Sequence, residues 1–100
     1  MMQKSLSELA PEQLSEITKL AGLFFVPRQI AIMLQLSIVD FVAECDIETS
    51  PVYIAFYSGR LQREVDLREK IIKLAESGSS PAQTMAIDIL MKSKIQMIDK

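Results

Sequence analysis

Apolar residues recur along this chain at three- and four-residue spacing, the period of an α-helix. Nowhere does the two-residue alternation of a strand hold for more than a few positions. The pattern predicts an all-α fold of five helices. The first runs from about Pro11 to Ala21, with Leu14, Ile17, Ala21 and Phe24 as its apolar stripe and Gly22 placed to end it. The second spans about Pro27 to Gln35. Pro27 suits a first helical position, because its fixed φ is helical and its missing N–H would be unpaired there. The third spans about Ser37 to Cys45 with Ser37 as N-cap, and Asp46 to Thr49 form a polar connector.

The fourth helix starts at Ser50 as N-cap with Pro51 behind it, and runs to about Ser77, where Gly78 stops it. Its apolar positions form two stripes. One is Ile54, Tyr57, Leu61, Val65, Ile72 and Ala75; the other is Phe56, Leu67, Ile71 and Leu74. A helix apolar on two sides needs two packing partners. The fifth opens on Ser80-Pro81-Ala82-Gln83, the pattern of a capping box with proline at the first position. It is apolar around much of its girth and carries Met85, Met91 and Met97, adaptable side chains at an interface. It reads either as a buried last helix or as an oligomer contact. Oligomer contacts are expected at Phe56, Leu67, Ile71, Met85, Ile89 and Met91.

Ile30, Leu34, Leu36 and Phe41 fall where a helix-turn-helix buries its apolar side chains, and Ala31 takes its small-residue position. These five are expected to be buried together. The unit commonly lays its second helix in the DNA major groove, and the same layout also serves for packing alone. The side chains expected at the groove are Arg28, Gln29, Gln35 and Ser37, with Asp40 beside them; glutamine pairs with adenine and serine reaches several base edges. A second basic face is expected on the fourth helix. At about 100° per residue, Arg60, Arg63 and Lys70 share roughly one quadrant, with Tyr53 and Tyr57 just ahead of them. Gly59 inside that helix costs about 1 kcal/mol relative to Ala, which predicts a close backbone approach. The i,i+4 pairs Glu64/Arg68, Asp66/Lys70 and Glu69/Lys73 fit an ordinary solvated face equally well.

Composition narrows the function. At 100 residues and 49% hydrophobic content, the chain is one domain's worth of ordered protein, with more apolar surface than a small core needs. Residues 1–48 read as a helix-turn-helix DNA-binding region and 49–100 as a helical hairpin for oligomerisation. Net charge is only −2, but residues 1–50 hold three bases against seven acids while residues 51–100 hold eight against six. Such asymmetry can mark a site for an anionic partner. There is no histidine, the commonest general base and zinc ligand. Cys45 is alone, so neither an internal disulfide nor a thiolate metal site is possible. Cys45 reads as a small buried hydrophobe. Gly22, Gly59 and Gly78 are too scattered to cradle phosphate. The acidic cluster Asp40, Glu44, Asp46 and Glu48 lacks the spacing of a calcium loop. No catalytic residue, metal site or cofactor is therefore expected, and no enzyme. No signal-peptide pattern or membrane-length apolar run is present, so a cytoplasmic, soluble protein is expected.

The order of elements carries a resemblance. A short acidic first helix and a proline-led helix-turn-helix are followed by Ser50-Pro51-Val52-Tyr53, then Phe56-Tyr57-Ser58-Gly59-Arg60, then Leu74-Ala75-Glu76-Ser77-Gly78-Ser79-Ser80-Pro81-Ala82. Over residues 12–92 this resembles the small terminase subunits of tailed phages and prophages. The resemblance implies a non-enzymatic subunit that binds the packaging site on double-stranded viral DNA, assembles as a homo-oligomer of the ring type, and regulates the large subunit. It implies DNA contacts at Arg28, Gln29 and Ser37, assembly through the last two helices, and a host-cytoplasmic setting for a phage-encoded chain. The sequence departs from the family at Val26, where a Thr or Ser N-cap is usual, at Gln35, where the turn usually has glycine, and in its acidic third helix. Two other functions fit the same elements: a helix-turn-helix transcription regulator of a mobile element, and a helical assembly or adaptor protein that binds no DNA.

Overall fold

The computed structural model describes Leu6 and residues 9–98. Among these are five α-helices and no strand: α1 Pro11–Gly22, α2 Pro27–Met33, α3 Ile38–Glu44, α4 Pro51–Glu76 and α5 Ser80–Ile98. Local chemistry accounts for each start. In α1 and α2 a proline opens the helix and a glutamine two residues on turns back over it. The Ala10 N–H donates to Gln13 Oε1 at 2.8 Å, and the Val26 N–H to Gln29 Oε1 at 3.1 Å. The glutamine thus supplies half of a capping box where the N-cap residue itself, Ala10 or Val26, has no oxygen to offer. Ser37 caps α3 as expected, its Oγ accepting from the Asp40 N–H at 3.3 Å. Ser50 caps α4: its Oγ accepts from the Val52 N–H at 3.1 Å and donates to Glu44 Oε1 at 2.9 Å. That bond ties the end of α3 to the start of α4 and brings a carboxylate to a helix N-terminus, where it is favoured. The cap of α5 is Ser79, one residue earlier than expected. Its Oγ accepts from the Ala82 N–H at 3.3 Å, while Gln83 donates from its Nε2 to the Ala75 carbonyl at 3.1 Å, an acceptor it shares with the Gly78 N–H at the end of α4.

Three helices share one way of stopping. A residue just past the cap turns left-handed: Phe24 at φ 69°, Gln35 at φ 58° and Gly78 at φ 104°. The next N–H then reaches back to the last turn, Phe25 to Leu20 O at 3.3 Å, Leu36 to Ala31 O at 2.9 Å and Ser79 to Leu74 O at 3.0 Å. Only Gly78 adopts this backbone without steric cost. Gly22, expected to end α1, is instead its last helical residue, and its lack of a side chain serves packing. A Cβ there would lie 3.2 Å from the Gly59 carbonyl oxygen, and a Cβ on Gly59 would run into the carbonyl oxygen of Thr18. The close approach predicted at Gly59 is therefore the crossing of α4 over the end of α1. Helix α2 stops at Met33, short of its expected end, because Gln35 leaves the helical region.

Two compact units divide within α4, one reaching to Arg63 and the other starting at Glu64. The core of the first comprises Ile17, Ala21, Ile30, Ala31, Leu36, Phe41, Cys45, Val52, Ala55 and Phe56, with Leu14, Leu34 and Phe25 packed against it. Four of the five residues expected to be buried together are fully inside, and Leu34 is partly so. The second unit is different. Ala82 is its one buried apolar side chain among the described residues; Ile71, Ala75, Ala86, Ile89 and Ser93 are half-buried. Positions 82, 86, 89 and 93 lie along one face of α5.

Candidate nucleic-acid interface

The turn between α2 and α3 is held from both sides. Ala31 and Ile30 are buried at the end of α2, Leu36 is buried just beyond it, and Phe41 fills the core from α3. This leaves Arg28 exposed in the first turn of α2, and Gln35 exposed in the turn itself. Gln29 is exposed too, but its Oε1 is engaged on the Val26 N–H. Ser37 is half-buried, and its hydroxyl caps α3. The outer face of α3 presents Val39, Val42 and Ala43 with Asp40 beside them, and Val39 is 78% exposed. No base lies on this helix.

The second basic face resolves into something other than a row of free cations. Arg60 donates through one terminal nitrogen to the carbonyls of Phe24 (3.3 Å) and Phe25 (3.1 Å). Its guanidinium carbon lies 5.6 Å from the Phe24 ring centre and 5.2 Å from that of Phe56, a double cation–π contact. Its Nε is buried without a partner. Arg63 donates through Nε to the Gly22 carbonyl at 2.8 Å. Arg63 thus binds the carbonyl end of α1, where the helix dipole favours positive charge, and Arg60 binds the carbonyls of the turn that follows it. Both are expected as DNA contacts; in the structure each holds a guanidinium on carbonyls that lie 35 to 41 residues away along the chain. Lys70 is exposed and belongs to the second unit. Tyr53 and Tyr57 pack on each other with ring centres 4.7 Å apart.

This placement changes the charge reading. Arg60 and Arg63 account for the basic surplus of the chain's second half, yet they belong to the first unit. From Glu64 onward six bases balance six acids; up to Arg63 five bases face seven acids. Of the cations in the first unit, Lys19 and Arg28 are the described ones not spent on carbonyls. Among the residues expected at an oligomer contact, Phe56 is buried at 3% exposure, so its side chain is core and not surface. Ile71 and Ile89 are half-buried, while Leu67, Met85 and Met91 are exposed.

Cys45 is buried, and burial pushes its thiol up to about 11, with the carboxylates of Asp46 and Glu44 adding to the effect. A thiol so protonated is a poor nucleophile. Among the described residues no group of three or more His, Cys, Asp or Glu is placed to hold a metal ion, and no helix is long and apolar enough to cross a membrane. Sequence reasoning read a close approach at Gly59 and missed its partner, Gly22, which it took only as a helix end. Two isolated glycines within helices mark a crossing, and the arginines that follow Gly59 by one and four residues lie beside that crossing. Comparison with protein-family models, with curated proteins and with solved structures finds no match for the chain.

Proposed function

We infer that this chain is a non-enzymatic DNA-recognition subunit of the small-terminase kind, which binds duplex DNA through α2 and α3, assembles with itself through α4 and α5, and regulates a large partner subunit. The observation that carries this reading is the α2–α3 unit. Ile30, Ala31, Leu36 and Phe41 are buried together, Gln35 takes the left-handed turn position, and Ser37 caps the next helix. That combination is what a helix-turn-helix requires. In this reading Arg28 and Gln35 face the nucleic acid, and the affinity of one copy is low because α3 brings no positive charge. Avidity across an oligomer supplies the rest.

Fluorescence anisotropy with duplex DNA at two salt concentrations tests it. Binding should fall steeply as salt rises, since counterion release sets its strength. Arg28→Ala should weaken it while stability changes by less than about 0.5 kcal/mol, as for other surface substitutions. Paired Arg60→Ala and Arg63→Ala should first lower the melting temperature, because they release the end of α1 and the turn after it. Absence of binding at low salt would eliminate the reading. One observation favours a second reading, a protein adaptor that binds no DNA: the outer face of α3 is apolar and acidic, with Val39 78% exposed beside Asp40.

A further inference from the structure

The outward side of α3 can touch a surface but has little with which to hydrogen-bond it. At about 100° per residue, Val39, Val42 and Ala43 fall within about 100° of one another, on the side of the helix away from Phe41. Phe41 is fully buried, whereas Val39 is 78% and Val42 40% exposed, and Ala43 is exposed with them. Val39 and Ala43 stand about 6 Å apart along the helix axis, close to two base-pair steps of about 3.4 Å. Asp40 is exposed at the edge of this face. Ser37, just ahead of it, has its oxygen on the helix cap. The second acid of the helix, Glu44, is held at the far end, where its Oε1 accepts from the Ser50 hydroxyl at 2.9 Å.

We propose that this face selects thymine, by packing Val39, Val42 and Ala43 against the 5-methyl groups of adjacent base pairs in the major groove. The inference rests on the DNA-recognition reading above and adds the base that α3 chooses. In the major groove guanine, cytosine and adenine offer hydrogen-bonding groups to a reader, and thymine alone adds an apolar one, its methyl. A hydrocarbon side chain desolvates the polar edges without compensation and gains by covering the methyl. Asp40 sharpens the choice. Its carboxylate accepts and cannot donate. It therefore suits the amino group of adenine or cytosine and opposes the two acceptors of guanine. An A·T pair presents an amino group and a methyl on one edge, which matches an acceptor beside an apolar face. Attraction to the phosphates is left to Arg28, outside this helix.

Fluorescence anisotropy of the full chain at low salt tests this with short duplexes of alternating dA and dT, the same duplex with deoxyuridine for thymidine, and alternating dG and dC with and without a 5-methyl group on cytosine. Uracil differs from thymine by the methyl alone. The deoxyuridine duplex should bind at least about fourfold more weakly, the worth of one buried methylene-sized group. Methylation of cytosine should strengthen binding to the dG and dC duplex. The paired variant Val39→Ala, Val42→Ala should bind the thymine and uracil duplexes within twofold of each other. Both valines are exposed, and the wild-type comparison decides the matter even if that variant fails to fold. Wild-type affinities for thymine and uracil duplexes within twofold of each other would overturn thymine selection and leave the DNA reading standing. No binding to any of the four duplexes would overturn both, in favour of a protein partner on this face.

Discussion

Up to Arg63 the chain turns its helices inward on a core of ten buried apolar side chains; from Glu64 onward it buries Ala82 and leaves Val65, Ile72, Leu74, Met85, Ile87, Leu90, Met91 and Ile95 at 46–62% exposure. Both stretches have the same helical period and similar apolar residues. What separates them is how often the chain reverses. In the first unit two seven-residue helices, α2 and α3, are bent against each other by the turn at Gln35. One apolar stripe of each helix therefore finds another within the same copy, while Val39, Ile54 and Leu61 stay exposed. In the second unit the reversal occurs once, at Gly78, between long helices. One face of each helix is then shaded and the rest has nothing to meet. A stripe read from sequence predicts that a face needs covering, and the topology decides whether the same copy can cover it.

The largest effect expected on this contrast comes from the centre of the first core. Phe41→Ala should cost about 3–5 kcal/mol, read as a lowered denaturation midpoint. Leu90→Ala, which removes a comparable apolar group from the exposed face of α5, should change the stability of the dissociated chain by less than about 0.5 kcal/mol. Equal costs at the two positions would break the distinction between the units.

Next in size is the helix crossing. Gly59→Ala raises helix propensity, yet its Cβ meets the Thr18 carbonyl oxygen, a backbone atom that cannot rotate away. A net loss of about 2–3 kcal/mol is expected from the overpacking, again by chemical denaturation. A gain in stability would show that α1 and α4 do not approach so closely.

The buried thiol gives a pH-dependent probe of the same core. Cys45 ionises at about 11 in the folded chain against an ordinary 9.0. Between these values the folded state binds more proton than the unfolded one, so stability is intact below pH 9 and falls as pH rises toward 11. The full loss attributable to Cys45 should be about 3 kcal/mol, at 1.36 kcal/mol per pK unit, and Cys45→Ala should remove that part of the pH dependence. The same burial should leave Cys45 unreacted toward alkylating agents at neutral pH until the protein unfolds.

The smallest expected effect is a gain. Gln35 holds a left-handed backbone at φ 58° that glycine adopts freely. Gln35→Gly should stabilise the first unit by about 0.5–1 kcal/mol, measured by thermal denaturation. Destabilisation would mean that the Gln35 side chain makes a contact worth more than its strained backbone.

Much of this fold is legible in the sequence because its signals are local. Pro11, Pro27, Ser37 and Ser50 start helices through their own covalent geometry or side-chain oxygen, and Gly78 stops one through its lack of a Cβ. The buried set around Phe41 follows from spacing alone. The candidate site is less legible because its decisive contacts are tertiary. Arg60 and Arg63 share a helix face with Lys70, which the sequence displays, but the carbonyls of Gly22, Phe24 and Phe25 that bind them are distant in the chain. Gly22 signals a helix end locally while its need for a bare Cα arises from Gly59. The cap of α5 moves from Ser80 to Ser79 because two adjacent serines offer the same chemistry and only the backbone distinguishes them.

The contrast between the units is tested most directly by amide hydrogen exchange on the full chain at low and high protein concentration. In the first unit, amides in α1, α2, α3 and the start of α4 should be protected equally at both concentrations, since their core lies within one copy. Amides of α5 from Ala82 to Ile98 should gain protection only as concentration rises and the exposed face is covered. Protection of α5 that is the same at both concentrations would contradict the claim that the second unit depends on a partner.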